Sequence, residues 1–310
     1  MGRGDLTDAQ WERLVPLLPA TGGRGGRWVD HRQVINGICH RVRTGMPWRD
    51  LPPEFGEWIT VYKRFRCWSA GGTWDRLLAV VRAQADAAGD IDWQVSVDST
   101  IERAHQHAAG APHRPPPDPA GKGGRRRDEP GQAVVARAGR PAGGGGPAGE
   151  ALGRSRGGLS TKIHLAADGR CRVLSFLVTP GQWGDSPQFI AVLDAINVAR
   201  LGPGRPRRRP DHVLADKAYS SRANRVYLRR RGIGHTIPVP RDQRQHRRDR
   251  GRRGGRPPGF DAERYKQRNT VERAINRLKQ FRAVATRFDK RGYLFTGTIT
   301  IAVLLIWLRT

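Results

Sequence analysis

Three acidic residues in this chain have positions that suit metal-dependent chemistry. Asp98 and Asp216 each follow a short segment with the pattern of a β-strand, QVSV and HVLA. Glu272 lies in a later segment with helical periodicity. Open α/β sheets place their functional sites at strand ends, so we expect the three carboxylates to converge.

Three carboxylates brought together repel one another unless cations bind between them. A site with few carboxylates and open positions suits Mg²⁺, which keeps several waters and recruits phosphate oxygens. Two such ions about 3.5–4 Å apart can activate an attacking hydroxyl and stabilise the leaving oxygen of a phosphoryl transfer. Asp98, Asp216 and Glu272 are therefore the predicted catalytic residues and the predicted ligands of two Mg²⁺ ions, with Mn²⁺ as a substitute.

The segment around Glu272, YKQRNTVERAINRLK (265–279), shows two adjoining stripes at the helical period. At 100° per residue, Tyr265, Arg268, Glu272 and Lys279 share a stripe about 60° wide. The apolar residues form the second stripe, which is typical of a helix face packed on a core. A simpler interpretation also fits the polar stripe: an exposed face with an i,i+4 pair of Arg268 and Glu272.

The charge of the chain indicates a polyanionic partner. Lys and Arg number 56 against 28 Asp and Glu, a formal net charge of +28. Nucleic acid is the first candidate for such a partner, although charge alone does not distinguish DNA, RNA and an anionic membrane.

Residues 1–90 read as helices, whereas the pattern changes from residue 91 onward. The segment WITVYKRFRCWSA predicts a basic, aromatic helix that carries Lys63, Arg64 and Arg66. Helices and turns in this order favour a helix-turn-helix-like DNA-binding region in which these three residues contact DNA. The alternative is a small helical bundle with a solvated basic face.

Residues 91–310 predict an α/β domain with a mixed sheet, in the order β, β, β, α, β, α, β, α. The range 108–157 contains almost no large apolar residues and predicts a disordered Arg/Gly/Pro-rich insert. Two arginine-rich runs, 205–209 and 241–256, predict flexible contacts with phosphates and no base readout.

The remaining composition favours the reducing cytosol of a cell and no membrane partner. The N-terminus lacks the apolar core of a signal peptide, and the apolar run 299–308 is too short, at about ten residues, to cross a bilayer. We expect that run to be a buried terminal helix. The three cysteines, Cys39, Cys67 and Cys171, fit neither a disulfide framework nor a zinc site.

The chain resembles the bacterial insertion-sequence DDE transposases. The spacing Tyr265-x2-Arg268-x3-Glu272-x6-Lys279 matches their Y-R-E-K signature, Asp98 in SVDST matches the first catalytic aspartate, and Asp216 in LADKAY matches the second. The blocks LTDAQWERLVPLLP, RTGMPWRDLPPEFG, STKIHLAADG and PGQWGDSPQF are similar to the insertion-sequence-five group. The resemblance covers nearly the whole chain outside the Arg/Gly/Pro-rich inserts.

This resemblance implies an RNase H-like fold with Asp98, Asp216 and Glu272 as a metal-binding triad. It also implies cleavage at the ends of a mobile element, followed by attack of the freed 3′-hydroxyl on target DNA. The implied partners are double-stranded DNA, as terminal inverted repeats and target, and a second copy of the chain in a homodimer on DNA. Tyr265, Arg268 and Lys279 are implied to contact terminal phosphates, in a protein of the bacterial cytoplasm associated with the nucleoid.

Two departures from the family leave open that this copy is decayed or poorly active, and two alternative functions stand beside the main prediction. The segment after Asp98 is longer than the family needs, and Ala218 stands where glycine is commoner. The first alternative is a catalytically inactive DNA-binding remnant. The second is an RNase H-like nuclease that cuts without strand transfer.

Five further residues have a functional and a structural interpretation. His105 and His107 suit a metal or DNA contact, but such a pair is more often solvated in a loop. Asp185 is a possible fourth carboxylate, although its place before a helix favours an interaction with the helix N-terminus. Trp48 and Trp183 suit stacking on an unpaired base, whereas core packing is the commoner role.

Overall fold

The computed structural model describes residues 5–19, 29–110 and 149–310. Helices form the N-terminal region, and a mixed sheet flanked by helices forms the rest. Both features confirm the fold class predicted from the sequence.

The first two N-terminal helices begin at residues whose side chains cap them, and the second ends at a glycine. Thr7 and Gln10 form a capping box, the Asp30 side chain accepts a hydrogen bond from the Arg32 backbone, and Gly45 ends its helix with φ of 72°. Side-chain oxygens satisfy the free N–H groups of the first turn, and glycine adopts the left-handed conformation at low cost. The four helices are α1 (Asp8–Leu14), α2 (His31–Thr44), α3 (Trp58–Ala70) and α4 (Thr73–Ala87).

The sheet has the strand order of the predicted RNase H-like fold. Its central strand pairs in parallel with β5 on one side and antiparallel with β3 on the other. β4 extends the sheet beyond β3, and β6 extends it in parallel beyond β5, so β3 alone among these five strands runs in the opposite direction. The strands are β1 (Gln94–Ala104), β2 (Gly153–Ser155), β3 (Gly158–Ala167), β4 (Val173–Pro180), β5 (His212–Ala215), β6 (Gly234–Thr236) and β7 (Thr286–Arg287).

β1 is longer than the sequence predicts. The expected strand ended on Asp98, but antiparallel pairing with β3 continues to Arg103, opposite Ser160. The parallel pairing with β5 does stop at Val97, opposite Ala215. Asp98 therefore lies within the strand and is also the first residue beyond its parallel part.

Eight helices accompany the sheet in the described part of the chain. The last of them is apolar on all sides and mostly buried, with Arg309 exposed at its C-terminal end, and the others are shorter. They are α5 (Gln106–Ala109), α6 (Phe189–Asp194), α7 (Arg222–Arg230), α8 (Arg241–Asp249), α9 (Ala262–Lys266), α10 (Asn269–Lys279), α11 (Arg282–Ala285) and α12 (Gly292–Arg309).

The predicted flexibility of the two arginine-rich runs is wrong where the structure describes them. Residues 241–249 form helix α8, whose Gln243 side chain accepts a hydrogen bond from the Ser220 hydroxyl at 3.2 Å. In the other run, Arg207 pairs its backbone with Val198 and stacks on Trp93 at 4.0 Å. Local hydrogen bonds and stacking order both segments although neither has an apolar face.

α12 is a buried core helix, as the apolar run predicts, although it is longer than that run. Its length and apolar composition would suit a membrane span, but 83% of it is buried inside the protein. It packs on α2, α3 and α4 on one side and on α10, α11 and β4 on the other. One hydrophobic cluster therefore includes residues from both sides of the division predicted at residue 90.

Most of the predicted insert 108–157 lies outside the described residues, but its end does not. Residues 153–155 form β2, and the Glu150 side chain accepts hydrogen bonds from Arg291 at 2.8 Å and from the Gly292 backbone at 2.5 Å. Glu150 is only 6% exposed. The prediction of disorder is wrong for residues 149–157, because a buried charged contact fixes them to the start of α12.

A buried ion pair of Arg41 and Asp289 links α2 to the segment before α12, and we predict that it contributes to the stability of the fold. Their side chains are 4% and 6% exposed, and Thr298 donates a second hydrogen bond to the Asp289 carboxylate at 2.8 Å. Asp289→Ala leaves the arginine buried without its partner, and we expect the free energy of unfolding to fall by about 3 kcal/mol in urea denaturation. The double variant Arg41→Met/Asp289→Leu removes both charges and should lose less. A double variant that loses as much as Asp289→Ala would contradict this role.

Candidate active site

Asp98 and Asp216 lie next to each other because their strands are parallel neighbours. Val97 of β1 pairs with Ala215 of β5, and each aspartate directly follows its paired residue. Asp216 begins the 3-10 turn Lys217–Tyr219, and its carboxylate accepts a hydrogen bond from the Ala218 backbone at 2.9 Å. Backbone pairing thus brings together two of the three predicted acids.

Helix α10 brings Glu272 to the same place. Its Thr270 hydroxyl donates to the Ser96 hydroxyl of β1 at 3.0 Å, and Val271, Ala274 and Leu278 face the core. Residues 96 and 98 point to the same face of a strand. Glu272 lies close to Asp98 at the exposed edge of the helix, because the Arg268 side chain reaches both carboxylates.

The Arg268 guanidinium lies between two of the acids. It donates to Asp98 Oδ2 at 2.7 Å and to Glu272 Oε1 at 2.6 Å. The predicted i,i+4 pair with Glu272 is thus present, and the same side chain also bridges to β1. The remaining guanidinium nitrogen, Nε, is buried and has no hydrogen-bond partner among the described residues.

The neighbouring charges shift the pKa values of Asp98 and Arg268. Burial raises the pKa of Asp98; the Ser99 backbone N–H and Arg268 oppose this, while the charges of Asp216 and Glu272 add to it. Burial alone would lower the pKa of Arg268, but its hydrogen bond to Glu272 and the charge of Asp98 outweigh burial and raise it. The acids therefore form one electrostatic cluster that needs a cation.

The donor set of this cluster fits a hard divalent metal ion, although two of its carboxylates pair with a protein cation. Among the described residues, no three His, Cys, Asp or Glu side chains lie together as a set of metal ligands. Asp98 and Glu272 instead share Arg268. Carboxylate oxygens suit Mg²⁺ or Mn²⁺, and Arg268 engages one oxygen of each of these two acids.

The predicted helix over 265–279 is interrupted. The angle of 100° per residue therefore does not give the position of Tyr265, which lies before the break, relative to Glu272. α9 ends at Lys266, α10 begins at Asn269, and Gln267 and Arg268 form a turn between them. Tyr265 is nevertheless near the acids. Burial raises the pKa of its hydroxyl, and Arg268 lowers it. The charges of Asp216, Asp98 and Glu272 raise this pKa further.

Lys279, at the end of α10, pairs with an acid that the sequence analysis missed. Its Nζ lies 3.2 Å from Glu102 Oε1, and the Glu102 side chain is only 2% exposed. Burial raises the pKa of Glu102 to about 7, although Lys279 and Thr100 lower it. Glu102 lies on the same face of β1 as Asp98, four residues further along the strand. The sequence analysis did not identify it because the strand was expected to end at Asp98.

Asp185 is the N-cap residue of the 3-10 turn Ser186–Gln188, but its side chain bonds elsewhere. Its carboxylate accepts hydrogen bonds from Ser99 Oγ at 2.7 Å and from Lys162 Nζ at 2.9 Å. The 3-10 turn that follows it has no side-chain cap. Sequence analysis missed Ser99 and Lys162, since only the pairing of β1 with β3 brings them close to the loop of Asp185.

The predicted DNA-contacting residues of α3 differ in exposure. Lys63 and Arg66 are exposed, whereas Arg64 is half-buried. Arg64 Nη1 lies 2.8 Å from His31 Nδ1, and its guanidinium stacks over Trp68 at 5.4 Å. Arg64 therefore connects α3 to α2, while Lys63 and Arg66 extend into solvent.

The remaining candidates have mainly structural contacts. His105 stacks on Phe288 with ring centroids 4.5 Å apart and accepts a hydrogen bond from the His107 backbone. Trp48 packs against the core with Phe65, at 5.0 Å, which confirms the packing role. Trp183 is half-buried, and its carbonyl accepts a hydrogen bond from Lys162.

Two family models match this sequence in the order of its structural parts. The model described as "Putative transposase of IS4/5 family" matches residues 6–78, which contain the N-terminal helices. The model described as "Transposase DDE domain" matches residues 92–307, which contain the sheet and all three acids. The second match covers more than half of the chain, and the chain therefore belongs to the DDE transposase family, whose members are enzymes that act on DNA and generally use divalent metal ions.

Relatives among known proteins come from mobile elements and their hosts. The uncharacterized protein y4sN of Sinorhizobium fredii is 40% identical over 107 residues, which is 34% of this chain and 82% of that protein. The putative transposase for insertion sequence element IS6501 of Brucella ovis is 28% identical over 49% of this chain and its own full length. The putative transposase for insertion sequence element IS402 of Burkholderia cepacia is 30% identical over 47% of this chain and 62% of that protein.

Similar solved structures include complexes of Mos1 transposase. The Mos1 paired-end complex with the left transposon end aligns over 90% of this chain and 77% of that chain, with 11% identity and a TM-score of 0.26. The Mos1 mariner paired-end complex with Mn aligns over 95% and 83%, with 11% identity and a TM-score of 0.24. At such scores the superposition supports no detailed correspondence.

The pKa of Glu102 predicts a pH dependence of stability. Between its ordinary value of 4.5 and about 7, the folded protein holds a proton that the unfolded chain has lost. The free energy of unfolding should therefore fall as pH rises through this window, by at most about 1.4 kcal/mol per pH unit from this group. Urea denaturation at pH 5 and pH 8 should show a smaller fall for Glu102→Gln than for the wild type. The exposed Glu263→Gln is the control, and equal falls in all three proteins would refute the assignment.

Proposed function

We propose that this DDE transposase cuts DNA at the ends of an insertion sequence and joins the freed 3′ ends to target DNA, with Asp98, Asp216 and Glu272 as its catalytic residues. The supporting observation is the electrostatic cluster of these three acids. Parallel strands bring the two aspartates together, and Arg268 pairs with both Asp98 and Glu272. The acids of the cluster would bind metal ions, while the basic residues of a chain with net charge +28 would bind the DNA phosphates.

Asp98, Asp216 and Glu272 would hold the divalent ions, Mg²⁺ or Mn²⁺. The ions supply activation of the attacking oxygen and stabilisation of the leaving oxygen. β1 and the 3-10 turn after β5 hold Asp98 and Asp216 in place by backbone hydrogen bonds to their carboxylates, from Ser99 at 2.8 Å and Ala218 at 2.9 Å. These bonds orient the ligands before any ion binds.

Arg268 exchanges its partners in this proposal. In the structure it bridges Asp98 and Glu272, and its buried Nε lacks a hydrogen-bond partner among the described residues. A backbone phosphate offers the bidentate acceptor that a guanidinium prefers. Arg268 then turns from the carboxylates to a phosphate near the cut, with Tyr265 and Lys279 beside it on the same side of the cluster.

Basic surfaces on both sides of the cluster bind the rest of the DNA. α8 has four arginines and no buried residue, and its contact with Ser220 holds it close to the turn of Asp216. Lys63 and Arg66 supply exposed charge on α3. The partners we propose are the terminal inverted repeats and target DNA, bound by a homodimer, in a protein of the bacterial cytoplasm that associates with the nucleoid.

Substitution of each acid tests the catalytic assignment. We expect Asp98→Ala, Asp216→Ala and Glu272→Ala to abolish Mg²⁺-dependent nicking of the DNA that flanks the gene, because each removes a ligand. DNA binding, measured by gel shift, should remain within about threefold of the wild type, since phosphate contacts dominate it. Glu263→Ala is the matched control on α9. Nicking that persists in all three variants would exclude the triad.

Strand transfer tests the second half of the reaction. The purified protein, Mg²⁺ and a pre-cut end with a free 3′-hydroxyl should yield joined products. Cleavage without joining would identify a nuclease, and neither reaction would identify an inactive DNA-binding protein.

The phosphate contacts predict a change in salt dependence. Arg268→Gln and Lys279→Gln should each weaken DNA binding and reduce the slope of log K against log salt by about one unit, because each contact releases counterions. Glu272→Gln provides a comparison on the same helix without loss of a cation. Unchanged slopes would show that Arg268 and Lys279 pair only with acids of the protein.

A further inference from the structure

A second polar network lies on the opposite face of β1 from Asp98. Ser99 follows Asp98, so its side chain points to the other face of the strand. Its hydroxyl donates to Asp185 Oδ1 at 2.7 Å, while its backbone N–H donates to Asp98 Oδ1 at 2.8 Å. One residue of β1 therefore connects Asp185 to the Asp98 carboxylate.

Lys162 of β3 holds Asp185 in this position. Its Nζ donates to Asp185 Oδ1 at 2.9 Å and to the Trp183 carbonyl at 2.7 Å, so both ends of the loop 183–185 bind one ammonium group. Burial favours the neutral form of Asp185, but hydrogen bonds from Ser99 and Lys162 outweigh burial and lower the pKa. Lys162 and Asp185 thus form an ion pair with no net charge.

The network borders the catalytic cluster through Tyr219. The Tyr219 hydroxyl is buried, and it makes no hydrogen bond of good geometry with any of the described residues. Burial raises its pKa strongly, and the charges of Asp98, Asp185 and Asp216 raise it further, while Ser99 lowers it. Asp185 is therefore close enough to act electrostatically on the same hydroxyl as two acids of the triad.

The other titratable group beside Asp185 is His164 of β3. Its Nδ1 lies 3.7 Å from Asp185 Oδ1, and its Nε2 bonds Thr179 at 2.9 Å. Burial lowers the pKa of His164 to about 4, although Asp185 opposes this, so the imidazole is neutral at pH 7. Lys162 is thus the cation that balances Asp185.

We propose that Asp185 and Lys162 are positioning residues of the active site: Asp185 fixes Ser99 and through it the Asp98 carboxylate, and Lys162 cancels the charge of Asp185 and keeps it out of the metal-ligand set. This inference rests on the proposed function, because it concerns the metal affinity of the Asp98 cluster. It predicts that the two residues affect metal binding in opposite directions. A network that only stabilises the fold has no such signature.

The test is Mn²⁺ titration of the purified, DNA-free full-length protein, followed by electron paramagnetic resonance. Lys162→Met leaves an uncompensated carboxylate beside the cluster, and Mn²⁺ should bind on the order of tenfold more tightly. Asp185→Asn leaves an uncompensated ammonium, and Mn²⁺ should bind on the order of tenfold more weakly. The double variant has no net charge change and should return to within about threefold of the wild type.

Two controls separate charge from packing. Lys162→Arg keeps the cation and should bind Mn²⁺ like the wild type even if its stability falls. The pair Arg231 and Asp194, at 2.7 Å, joins α7 to α6, and Arg231→Gln and Asp194→Asn should leave Mn²⁺ affinity unchanged. Circular dichroism of each variant confirms that it is folded before titration.

The outcomes distinguish this inference from the proposed function. If Mn²⁺ binding is absent, or is the same in Asp98→Ala as in the wild type, the metal site and this inference both fail. If Asp98→Ala abolishes binding but Lys162→Met and Asp185→Asn shift the affinity in the same direction or not at all, only the positioning role fails.

Discussion

The parallel pairing of β1 with β5 is the constraint on which the site depends. The backbone hydrogen bonds of two neighbouring strands fix Val97 opposite Ala215. Asp98 and Asp216, which directly follow these residues, therefore lie next to each other. Every other part of the site is placed relative to this pair. α10 rests on β1 through Thr270, and the network of Asp185 reaches the other face of the same strand through Ser99.

Burying acids next to each other is unfavourable, and the surrounding residues compensate for it locally rather than through the overall charge of the protein. Arg268 compensates Asp98 and Glu272, Lys162 compensates Asp185, and Lys279 compensates Glu102. Each compensating cation comes from a different element or turn. The pair of Lys162 and Asp185 has the cation largely buried, so salt screens it less than it screens the exposed arginines of α8.

Much of the fold and the three acids could be predicted because local patterns determine them. Caps such as Thr7 and Gly45 act within a few residues, and the alternating segments before Asp98 and Asp216 reveal strands. The full length of β1 could not be predicted, since it depends on pairing with β3, whose partner residues lie far along the chain. Glu102, Ser99 and Lys162 were missed for the same reason. The break before α10 was also hidden, because KQRN has no proline or glycine to mark it.

The ends of the segment 111–148 meet the structure at one place. A Cβ atom on Gly110 would lie 3.8 Å from Lys290 Nζ, and one on Gly292 would lie 2.8 Å from the Gly149 carbonyl oxygen. The chain therefore leaves and re-enters beside the same short stretch, the start of α12. The entropy of closing a loop grows only with the logarithm of its length, so residues can be gained or lost between these two points at little cost to folding. The two described ends are thus close enough together to be joined by a sequence of almost any length.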